Sequence, residues 1–203
     1  MPARIMLSSC VFTLSLAATA PAWAVDGTIT INGEITDQTC KINGSAPPYD
    51  FVVTLPKIAA SALKKVNDTA GATLFTIKIT DCPSTLTGQV KAYFEPGVTT
   101  DYDSGNLYAY TGSASTTSPA PSSIPSDRAG AAKASHVEIR LSNPDGTKIT
   151  LGAAVNMAAG VTLEGSDKKS ATLRYLASYV KSSEGAITAG KLVSYVQYSI
   201  VYP

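Results

Sequence analysis

The chain has 203 residues, of which 44% are hydrophobic and only 15% charged, with 16 Lys and Arg against 15 Asp and Glu. That is enough chain for one domain with a real core and too little for two full ones. Once Arg4 leaves with a targeting segment the charges reach parity, so no strong electrostatic field exists and nucleic acid is excluded as a partner.

From the N-terminus, Arg4 supplies a minimal positive region, residues 5–18 an apolar run and Ala22-Trp23-Ala24 a small-x-small cleavage pattern, which predicts a secretory signal over 1–24. Export follows, because no other stretch is long and apolar enough to span a bilayer. The next segment, residues 25–36, forms an extension before the main domain, 37–203. Within it Val25, Gly27, Ile29, Ile31, Gly33 and Ile35 fall on one face and Asp26, Thr28, Thr30, Asn32 and Glu34 on the other, the period of a β-strand. A terminus so patterned needs a sheet to join. Cys10 leaves with the signal, and the even pair that persists in an exported chain, Cys40 and Cys82, is read as one disulfide. Closing that loop restricts the unfolded chain by about 4 kcal/mol on a chain-entropy account.

Period-two runs rich in β-branched residues and Tyr predict strands at 35–42, 51–58, 73–82, 89–95, 106–111, 137–142, 148–151, 171–181 and 192–202. Turns punctuate them at Pro47-Pro48, Glu95-Pro96-Gly97, Asp103-Ser104-Gly105 and Asn143-Pro144-Asp145-Gly146. One short helical turn is expected within 59–66. Residues 111–135, rich in Ser, Thr, Pro, Ala and Gly, predict a mobile surface loop. The chain is therefore expected to be all-β.

Chemistry-bearing constellations are sparse. His136 is the sole histidine and stands at the start of a predicted strand, so a catalytic role has no support. Residues 101–106 resemble the start of a calcium loop, but the Gly arrives early and no Glu closes the frame, which leaves a solvated turn. Asn67-Asp68-Thr69 is read as a loop, and the pairs Lys64-Lys65 and Lys168-Lys169 as solvated faces. The expectation is a protein that is no enzyme and uses no cofactor or metal.

The last run, Leu192, Ser194, Val196, Tyr198, Ile200 and Tyr202, stops at Pro203, leaving a penultimate Tyr, and Gly190 is fourteenth from the end. These ends, together with the alternating segment before Cys40 and a second cysteine about forty residues later, resemble chaperone-usher fimbrial subunits. Within that family the chain is most similar to the Bordetella serotype major subunits, through runs such as Leu55-Pro56-Lys57-Ile58 and Arg174-Tyr175-Leu176-Ala177-Ser178-Tyr179-Val180-Lys181. The resemblance implies an incomplete immunoglobulin-like sandwich lacking its last strand. It implies that residues 25–36 are a donor strand given to a neighbour. It also implies an acceptor and chaperone-binding edge containing Gly190, Leu192, Val196, Tyr198, Ile200 and Tyr202. The implied partners are a periplasmic pilus chaperone, an outer-membrane usher, further copies of the chain in a filament and, at the fibre's end, a tip adhesin and host glycans. The alternative kept beside this reading is a minor pilin or a tip adhesin that itself binds host glycans.

Overall fold

The computed structural model describes residues 29–36, 39–111 and 132–203, and the chain divides between Ile35 and Thr36 into two units. The predicted signal, Val25 and Gly27 lie outside the described residues, as does 112–131, the interior of the predicted loop. In chain order the strands are β1 (Lys41–Ile42), β2 (Thr69–Pro83), β3 (Gln89–Glu95), β4 (Thr100–Asp101), β5 (Asn106–Thr111), β6 (Lys133–Ser142), β7 (Val161–Thr162), β8 (Lys168–Lys181), β9 (Leu192–Val193) and β10 (Gln197–Val201). A single 3-10 turn, Ala60–Ala62, falls inside the stretch where one helical turn is expected. The fold is all-β, as read from the sequence.

The strands form two antiparallel sheets. The larger runs β1-β2-β8-β6-β5-β4, with β9 also on β5, and the smaller runs β10-β3-β7. Alternation explains how they face each other. Ile77 and Ile79 of β2, Leu173 and Tyr175 of β8, and Val90 and Ala92 of β3 are fully buried, while between them Lys78 and Arg174 are exposed and Lys91 is half-buried. Each buried Ile, Leu or Val contributes about 1.5–3 kcal/mol. The phenol of Tyr175, on β8, ties the layers together: it accepts from Ala92 N of β3 at 3.0 Å and donates to Ala159 O at 2.9 Å. Cys40 and Cys82 are joined by a disulfide that anchors the chain entering β1 to the end of β2.

Several predicted strands are corrected by tertiary pairing. The predicted 35–42 shrinks to β1, and Ile35 is exposed. Residues 51–58 belong to no ladder. Residues 148–151 form no ladder; they make an isolated bridge from Ser142 to Lys148 and a main-chain bond from Leu151 N to Gly105 O. The predicted 192–202 breaks in two, β9 joining the larger sheet and β10 the smaller. β6 begins at Lys133, inside the predicted loop, because His136 adopts φ +64° at an irregularity in the β5–β6 register and the strand continues past it. Similarly β2 starts at Thr69 and carries irregularities near Gly71 (φ +67°) and Asp81 (φ +55°). At the second of these the Asp81 carboxylate meets Lys41 at 2.8 Å and Lys168 at 3.0 Å.

Candidate functional site: an open sheet edge

β10 pairs with β3 from Gln197↔Glu95 to Val201↔Lys91, and among the described residues no strand pairs with its other edge. The segment facing that edge is 49–58. Among the described residues it makes no backbone-to-backbone hydrogen bond. Its side chains still alternate: Tyr49, Phe51, Val53 and Leu55 pack half-buried on the core, while Asp50, Val52 and Thr54 face water. From the β10 side Val196, Tyr198, Ile200 and Tyr202 pack on the same core, and they too are only half-buried. The result is a strip of core-facing apolar side chains between two main-chain segments that do not pair with each other.

Two phenols cross this strip. The Tyr198 hydroxyl donates to Tyr49 O at 2.7 Å, and the Tyr202 hydroxyl accepts from Cys40 N at 3.2 Å. The Phe51 ring stands edge-on to Tyr198 with centroids 5.9 Å apart and lies 6.0 Å from Phe75. Phe75 is 5.9 Å from Tyr175, so an aromatic chain runs from the edge into the core. Burial, helped by the nearby Asp50 carboxylate and by Tyr49, pushes the Tyr198 hydroxyl up to about 12, and it stays a neutral donor. Chemically, such an edge suits an extended chain with a period-two apolar face: main-chain groups supply pairing and alternate side chains fill the strip.

Of the residues assigned to this edge from sequence, Val196, Tyr198, Ile200 and Tyr202 lie along it. Leu192 instead pairs with Thr111 in the larger sheet, and Leu192 and Gly190 line a separate cavity of about 440 Å³ beside Lys133. The facing side, Tyr49 to Leu55, was missed as part of the site, although its alternation was visible as most of a predicted strand. Ile29 (89%), Ile31 (90%) and Ile35 (99%) of the N-terminal unit are almost fully exposed, and a Cβ on Gly33 would meet no atom within 4 Å. His136 sits away from the strip, its ring nitrogen 2.8 Å from Ser183 Oγ. In the 101–106 turn the Asp101 carboxylate accepts from the main-chain N–H groups of Asp103 and Ser104.

Two antiparallel sheets around one core, with the outer edge of β10 unpaired among the described residues, define an immunoglobulin-like β-sandwich subunit of the pilin type. The family described as FimA, type-1 fimbrial protein, A matches residues 55–203. The serotype 2 fimbrial subunit of Bordetella pertussis is 45% identical, covering 100% of this chain and 99% of its own, and the F17 fimbrial protein of Escherichia coli is 37% identical over 93% and 94%. Among solved structures, a chaperone-usher pilus subunit superposes with a TM-score of 0.55 at 19% identity, covering 92% of this chain and 100% of that one. The P pilus rod subunit PapA gives 0.51 at 17% identity, over 81% and 99%. The chain belongs to the type-1 fimbrial protein family: it is a structural fimbrial subunit, exported to the cell surface.

Proposed function

We propose that the chain polymerises by donor-strand exchange, in which residues 25–36 of one subunit enter the open β10 edge of the next. The observation that carries this is the edge itself: a half-buried apolar strip between β10 and the unpaired segment 49–58. The donor face would be Val25, Gly27, Ile29, Ile31, Gly33 and Ile35. A slip of one residue would turn Thr28, Thr30 and Asn32 inward, so the pattern also sets register. Each contact joins different surfaces of two copies and does not close on itself, which yields a filament. Before assembly the same edge would be covered by a periplasmic chaperone and delivered to an outer-membrane usher, after removal of residues 1–24. The boundaries 1–24, 25–36 and 37–203 belong to this proposal, and its work is structural rather than catalytic.

The test appends residues 25–36 after Pro203 through a short flexible linker and compares thermal unfolding and oligomer size with the mature chain. A stable monomer, against a parent that polymerises or melts far lower, is the expected result. Equal, stable monomers would mean that the sandwich is already complete and would overturn the proposal.

A further inference from the structure

The open edge is bridged by side chains rather than by main-chain pairing. Tyr198 and Tyr202 are four residues apart at the C-terminal edge, so both project toward the same side of the strand. Tyr198 holds the carbonyl of Tyr49, on the segment across the strip, and Tyr202 holds the N–H of Cys40, which stands just before β1. Phe51 packs edge-on against the Tyr198 ring and holds it in place. A strand entering between β10 and 49–58 needs main-chain groups of both segments, and the Tyr49 carbonyl is one of those already taken.

We propose that Tyr198 and Tyr202 form a clasp that holds the unpartnered subunit closed and must release its main-chain partners before a donor strand can enter. This rests on the donor-strand reading above. The clasp gives the subunit a way to stay soluble in the interval between losing one partner strand and gaining another, because it satisfies groups that would otherwise be free to pair with any passing edge. It also makes clasp opening part of the barrier to strand uptake. Removing a hydroxyl while keeping the ring should therefore speed uptake without removing apolar contact from the strip.

The experiment uses the mature chain at high dilution, with a fluorescent peptide of residues 25–36 in excess as the probe, and follows uptake by anisotropy. Tyr198→Phe and Tyr202→Phe are each expected to take up the peptide about fivefold faster than wild type, the size expected for one net hydrogen bond. The double variant should gain about 25-fold if the two bonds act independently. Tyr93→Phe, on the neighbouring strand β3, should leave the rate unchanged. In wild type, uptake should carry a tyrosine ultraviolet difference spectrum as the two phenols change partner, which reads the clasp without any variant. Peptide uptake at the same rate in all variants, or without a tyrosine difference, would overturn the clasp and leave strand exchange standing. A wild-type chain that takes up no peptide would overturn the exchange reading, and the clasp with it.

Discussion

Glu138 is a carboxylic acid only 6% exposed, held on β6 by its neighbours rather than by water. Its Oε2 accepts from Ser104 Oγ at 2.7 Å and Asn106 Nδ2 at 2.9 Å, and its carboxyl hydrogen-bonds that of Asp101. Burial raises the Glu138 carboxyl against the two donors. At Asp101 burial also pushes upward, but the hydrogen bond from Glu138 and the N–H groups of Asp103 and Ser104 outweigh it, and that carboxyl is lowered. The two carboxyls are thus set apart, Glu138 raised and Asp101 lowered. The sign follows. A group raised in the folded state favours folding while protonated, and that contribution is lost as pH rises from the ordinary Glu range through the raised value. Glu138→Gln keeps an acceptor for Ser104 and Asn106 and a donor for Asp101 but does not titrate. Its melting temperature relative to wild type should therefore rise as pH climbs above the ordinary Glu range, and a flat difference in calorimetry would refute the raised carboxyl. Glu138→Ala leaves buried donors unsatisfied and should cost about 2 kcal/mol in denaturant titrations. From sequence, 137–142 was read as a strand, and nothing in that run shows that Ser104 and Asn106 of the 101–106 turn meet Glu138.

At the scale of elements, stability turns on how strands of different sheets are tied. Tyr175→Phe keeps the ring packed at 5.2 Å from Phe94 but removes the phenol that joins β8 to Ala92 and Ala159, and about 2 kcal/mol of stability should go with it. Replacing both Cys40 and Cys82 by Ala should cost about 3–4 kcal/mol, measured under non-reducing conditions, since the bridge closes a long loop. The strands best read from sequence are those whose apolar face meets one partner layer throughout: β3 and β5 match their predicted spans residue for residue. The run 192–202 was read as a single strand because alternation continues across it. The break comes where the chain leaves β5 in one sheet for β3 in the other, and that change of partner has no signature in side-chain periodicity. Residues 51–58 show the converse: their apolar alternation is real and their apolar side chains pack on the core, but they join no ladder.

For the whole molecule, the donor reading separates assembly from stability. Ile29→Asp and Ile31→Asp alter side chains about nine-tenths exposed, so the dilute single subunit should keep its stability within about 0.5 kcal/mol. Fibre formation, followed by electron microscopy and size exclusion, should be lost, because a charge would have to enter the apolar strip. Fibres formed normally by the double variant would sink the donor assignment. Sequence by itself determined the all-β class, the cysteine pairing and the alternating faces of both ends, since these depend on side-chain type and spacing along one chain. Tertiary structure alone decided which segment faces β10, that Leu192 and Tyr198 serve different sheets, and that Tyr49 and Cys40 are held by phenols far along the chain. The reason is physical: periodicity records which side of a strand is apolar, whereas the choice of neighbour depends on what the whole core leaves room for.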